Sequence, residues 1–128
     1  MNQSDLAWRS AARAKLVLLK TRAETLRSEV IRLGDSIVAL RRHATAAENV
    51  VTELVQQLAF ASGERAAKLS AEIAERRADL EQMLAALAAS HERLNESRIE
   101  SGHATRLAQD ATDAAVRIGL ISPEEGAA

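Results

Sequence analysis

Apolar residues recur at alternating three- and four-residue steps along the first half of this chain: Leu16, Leu19, Ala23, Leu26, Val30, Leu33, Ile37, Leu40, Ala44, Ala47, Val51, Leu54 and Leu58. That period of about 3.5 residues is a heptad repeat. A helix carrying such a seam must bury it against another helix. The chain is therefore expected to be all-α and coiled-coil in character. The repeat is a packing device and carries no chemistry of its own.

The second half has a seam of its own: Ala66, Leu69, Ile73, Arg76, Leu80, Met83, Leu87, Ser90 and Leu94. It weakens through Ser97, Ser101, Ala104, Ala108, Ala111 and Ala115. Continuing the first seam past Leu58 would call for Ala61 and Arg65, so the phase slips at Gly63. A glycine can take the left-handed conformation that ends a helix, and Ser62 can cap the next one. These signs predict a single domain, a long antiparallel helical hairpin. Helix one spans about 4–60, the turn 61–64, helix two about 65–118, and a flexible tail 119–128. Asn2 or Ser4 suits the first N-cap, with Asp5 in the first turn. The seam runs past Gly34 in phase through Val30, Leu33, Ile37 and Leu40, so no break is expected there, whereas Gly102 sits in a polar stretch that allows a kink. Gly119 and Pro123 mark the end of helix two.

Folding at Gly63 sets Val51 near Ile73, Ile37 near Leu87 and Val30 near Leu94. Ala44 meets Leu80, and at the open end Ala12 and Leu16 meet Ala108 and Ala111. Each arm is roughly 55 residues, or about 80 Å at 1.5 Å per residue. A two-helix ribbon hides only a narrow stripe, yet apolar residues also lie off it: Val17, Leu18, Ile31, Val38, Val50, Val55, Leu84, Ile99 and Leu107. A stripe this wide faces a third helix. The expectation is a homo-oligomer, most simply a dimer completing a four-helix bundle, or a helical protein partner on the same surface. Val17, Ile31, Val38, Val55, Leu84, Ile99 and Leu107, with Trp8 and Phe60, form the candidate partner surface. Trp8 suits an interface or a cover for the alanine-rich open end. Phe60 suits a plug for the last core layer or an aromatic docking point at the turn.

Composition narrows the function. With 17 basic and 18 acidic residues the formal net charge is −1, which gives no general attraction to nucleic acid or anionic membrane. Two aromatic residues, Trp8 and Phe60, are too few for base stacking. With no cysteine, disulfides, thiolate metal sites and a cysteine nucleophile are excluded. No apolar run approaches a membrane span or a secretory signal, so a cytoplasmic place, or one in a virion or bacterial assembly, is expected. Arginine outnumbers lysine 14 to 3, which with 27 alanines points to a GC-rich bacterial or phage genome.

Chemistry-bearing groups are sparse. His43, His91 and His103 lack the paired spacing of a helical metal motif. Glu92, Glu96 and Glu100 recur every four residues, and Glu100 stands three before His103. A ferritin-like site needs a second Glu-x-x-His, so an acidic outer face is the expectation and no metal or cofactor is assigned. Arg41, Arg42, Arg76 and Arg77 fall at similar heights, a belt suited to a phosphate or an acidic partner. Arg76 also takes a seam position with Glu48 and Glu72 in reach, which suits an ion pair that fixes register. No nucleophile constellation or phosphate-cradling loop is present, and no small-molecule substrate is evident.

The expectation is a non-enzymatic structural or assembly protein. In its heptads and hairpin plan the chain resembles the helical-hairpin stalk and escort proteins of flagellar and type III export, which implies a secretion-associated adaptor as the alternative. It is also similar in plan to small secreted hairpins with a Trp-x-Gly turn, although this turn reads Phe60-Ala61-Ser62-Gly63. A helical inhibitor that presents one face to a partner's groove is a third class. Small-angle scattering is expected to give a two-stranded particle of about 80–90 Å, where one continuous helix would reach about 180 Å.

Overall fold

The computed structural model describes residues 2–127, and all regular structure among them is helical. Helix α1 spans Gln3–Leu58 and α2 spans Gly63–Arg117, with a short α3 at Pro123–Ala127. The two long helices pack antiparallel as a hairpin. Neither Gly34 nor Gly102 interrupts its helix.

Local chemistry sets the ends. The Asp5 amide donates to Asn2 Oδ1 at 2.9 Å, an N-cap that satisfies a free donor of the first turn. At the far end α1 tightens into i→i+3 bonds: Phe60 N–H donates to the Gln57 carbonyl and Ala61 N–H to that of Leu58, at 3.2 and 3.1 Å. These bonds end α1 earlier than the expected 60, so the connection is 59–62 rather than 61–64. Gly63, at φ 61°, then stands at the start of α2 instead of closing α1.

Two compact units divide the contacts: one joins the residues up to Ile31 with those from Asn95 on, and the other is Arg32–Leu94. In the Arg32–Leu94 unit, Leu54, Leu69 and Ile73 form a buried cluster that Leu58 and Ala61 pack against. Ile37, Ala44 and Val51 are buried further along α1. Arg76 is exposed despite its seam phase, because its long stem carries the guanidinium to water.

In the terminal unit, Ala23, Ala104 and Ala108 make one core cluster, flanked by Leu19 and Leu26. Leu16, Ala115, Leu120 and Ile121 make the other, with Ala12, Ala111 and Val116 against it. Ala108 thus sits with Ala23 rather than with Leu16.

Leu120 and Ile121 correct the expectation of a flexible tail over 119–127; position 128 of the expected tail lies outside the described residues. Gly119, at φ 75°, reverses the chain. Leu120 N–H then donates to the Ala115 carbonyl at 2.9 Å and Gly119 N–H to that of Val116 at 3.1 Å, a Schellman closure. Its usual apolar contact is present, since Leu120 packs with Ala115. Arg13 Nη2 donates to the Leu120 carbonyl at 2.7 Å. Ser122 caps α3, accepting from the Glu125 amide at 3.2 Å while its hydroxyl donates to the Glu125 carboxylate at 3.3 Å, with Pro123 as the first helical residue.

Ile37→Ala and Ile73→Ala are each expected to cost about 2–4 kcal/mol in denaturant unfolding, because both side chains are buried. Val17→Ala, at an exposed position, is expected to stay within about 0.5 kcal/mol of the parent.

Candidate interaction surface

The seam consumes the side chains that point at the opposite helix and leaves the flanks uncovered. In the Arg32–Leu94 unit, Val38, Val55 and Leu84 are exposed, as is Val50. Phe60, at 92% exposure, does not plug the last layer; Leu58 and Ala61 close it instead. Arg41 and Arg42 line a shallow hollow with Val38, Thr45 and Ala46. Arg41 Nη2 also donates across the hairpin to His91 Nε2 at 3.3 Å. Arg76 pairs with Glu72 at 3.8 Å, and neither it nor Arg77 lines that hollow.

In the terminal unit Trp8, Val17, Ile31, Ile99 and Leu107 are exposed. Trp8 does not cover the alanine-rich end; Leu120 and Ile121 do. Two hollows run along one flank of this unit. The first is lined by Arg22, Glu96, Ile99, Glu100, His103, Ala104 and Leu107. The second is lined by Ala12, Lys15, Leu19, Leu107, Ala111, Ala114 and Ile118, among others. Leu107 lines both. Arg22 meets Glu100 in the first, at 3.6 Å.

Two further large apolar residues are exposed although spacing alone did not single them out. Leu6 is exposed on the first turns of α1, and its off-seam phase was the available signal. Ile118 keeps the seam phase but lies just beyond the end of α2 at Arg117, so the departing chain leaves it exposed.

Glu100 and His103 do line one hollow, together with Glu96. Among the described residues, no three His, Asp or Glu side chains gather closely enough to hold a metal ion. No described helix is long and apolar enough to cross a membrane.

The fold and surface together define an antiparallel helical hairpin with a satisfied seam and apolar flanks. Compared with known proteins, the chain matches no family model, no curated protein and no solved structure.

The Arg22–Glu100 pair is half in water on both sides, where solvent screens it. A double-mutant cycle on Arg22→Ala and Glu100→Ala is expected to return a coupling below about 1 kcal/mol, shrinking further at high salt.

Proposed function

We propose that this chain is a non-enzymatic structural or assembly protein that works by helix–helix contact through the flanks beside its seam. One observation carries the reading. Large apolar side chains stand exposed along both long helices, on backbone whose seam is already occupied within the chain. Isolated exposed apolar residues are ordinary. Here Ile99, Leu107 and Ile118 instead line two neighbouring hollows of the terminal unit. A rigid helical face with spaced apolar anchors is a recurrent means of protein recognition. The partner is another helical surface, in a second copy or another protein, and a phage or bacterial machine is the setting the composition favours.

The exposed Phe60 favours a second reading, a secretion-associated adaptor that docks by its turn. An aromatic displayed on a tight connection between two long helices is an efficient anchor, since aromatic side chains dominate many binding hot spots.

Sedimentation velocity separates the two. Under the assembly reading Leu107→Glu with Ile99→Glu reduces association at least tenfold, and Phe60→Asp leaves it unchanged. Under the adaptor reading Phe60→Asp abolishes capture of the native partner, and the flank substitutions do not. Circular dichroism is expected to show unchanged helicity for all three substitutions, because all three positions are exposed.

A further inference from the structure

Residues 119–127 are fastened to the terminal unit at three places. Leu120 and Ile121 are buried with Leu16 and Ala115. Arg13 Nη2 donates to the Leu120 carbonyl at 2.7 Å. Gly126 lies so close to α2 that an added Cβ would meet Val116 Cγ2 at 2.9 Å and Thr112 Cγ2 at 3.3 Å. Neither methyl is free to turn away. Val116 is β-branched and helical, which holds its χ1 to one strongly preferred rotamer. Thr112 is fixed by its hydroxyl, which donates to the Ala108 carbonyl at 2.8 Å. The surface under Gly126 is a rigid seat shaped for a residue without a side chain.

Little else orders this segment. Helix α3 has five residues, and none of them is buried. A helix that short has no stability of its own in water. Gly119, at φ 75°, joins the segment to α2, and a glycine adopts that conformation without steric cost. The cluster of Ala23, Ala104 and Ala108 holds the two long helices together without any residue of the segment.

We propose that residues 119–127 form a strap that swings as one unit about Gly119 while the hairpin beneath it stays folded. Closed, the strap completes the layer over Leu16. Leu120 then stands in the wall of a hollow with Ala12, Leu16, Leu19 and Ala115. Open, the strap removes that wall and joins the hollow to the bared layer, an apolar site that the closed form withholds. The Arg13 bond holds the strap near its pivot and the Gly126 seat holds its far end. The strap does not depend on the helix–helix reading, because the surface it governs is covered in the closed chain rather than exposed on a flank.

Amide exchange followed by NMR on the full chain tests the strap. The reporters are the amides of residues 120 and 126, which donate to the Ala115 and Ser122 carbonyls. The amides of Ala104 and Ile37 report on the hairpin. Gly126→Ala is expected to speed exchange at both reporters about tenfold and to leave Ala104 and Ile37 at parent rates. Helix propensity alone predicts the opposite sign, since alanine favours a helix over glycine. Arg13→Ala is expected to speed exchange at both reporters too, although its bond touches only one end of the strap. In a Val116→Ala background, which removes the methyl the new Cβ meets, Gly126→Ala is expected to change either rate by less than about threefold. Anilinonaphthalene sulfonate, a dye that brightens on exposed apolar surface, is expected to fluoresce more with Gly126→Ala than with the parent, at unchanged helicity.

Faster exchange at only one reporter overturns the single unit. Equal acceleration at Ala104 and Ile37 overturns opening on a folded hairpin. Slower exchange in Gly126→Ala, or an undiminished effect in the Val116→Ala background, overturns the seat. Dye fluorescence equal to that of the parent overturns the withheld apolar site.

Discussion

Two helices lying side by side can bury only the side chains that point straight at one another, and every other feature of this chain answers to that limit. A narrow core must fit closely, because each layer holds few side chains and has no second shell behind it. The chain meets this with small and aliphatic residues: Ala23 with Ala104 and Ala108 where the helices run close, and Leu54 with Leu69 and Ile73 near the connection. Large rings have no place in such a seam. The one Trp and the one Phe both lie outside it.

The same limit explains why the helix ends are secured so fully. A hairpin is tied by covalent chain at one end only, and its free end is where fraying begins. Here Asn2 caps α1, while Gly119 turns the chain so that Leu120 and Ile121 complete a layer over Leu16. Thr112 is buried and its hydroxyl donates to the Ala108 carbonyl at 2.8 Å, which spares the group from desolvation without a partner.

Much of this was readable from spacing. The hairpin follows from two heptad runs separated by a phase slip, because phase reports directly which side of a helix is buried. Arg76 shows where phase alone falls short: a position can point at the partner helix while its long side chain escapes to water. The C-terminal segment was misread for another reason. Ser122-Pro123-Glu124-Glu125 carries a capping box with proline at the first helical position, but too short a run to show any apolar period. The burial of Leu120 and Ile121 depends on a cap geometry and on Arg13, which the chain brings from far away. The grouping of Arg22, Glu96 and Glu100 around one hollow needs the axial alignment of the two helices. Spacing within each helix leaves that alignment open by a few residues.

The bond from Arg13 to the Leu120 carbonyl spans 107 positions of sequence. Together with Leu120 and Ile121 packed over Leu16, it makes the last few residues a clasp on the first turns of the molecule. Trimming the chain before Leu120 would do more than remove an appendage. It would uncover apolar side chains near the opposite terminus and lengthen the stretch of α1 free to unwind. Cleavage before Leu120 would thereby expose the region around Leu16, so the segments holding Arg13 and Leu120 behave as a single element of the fold.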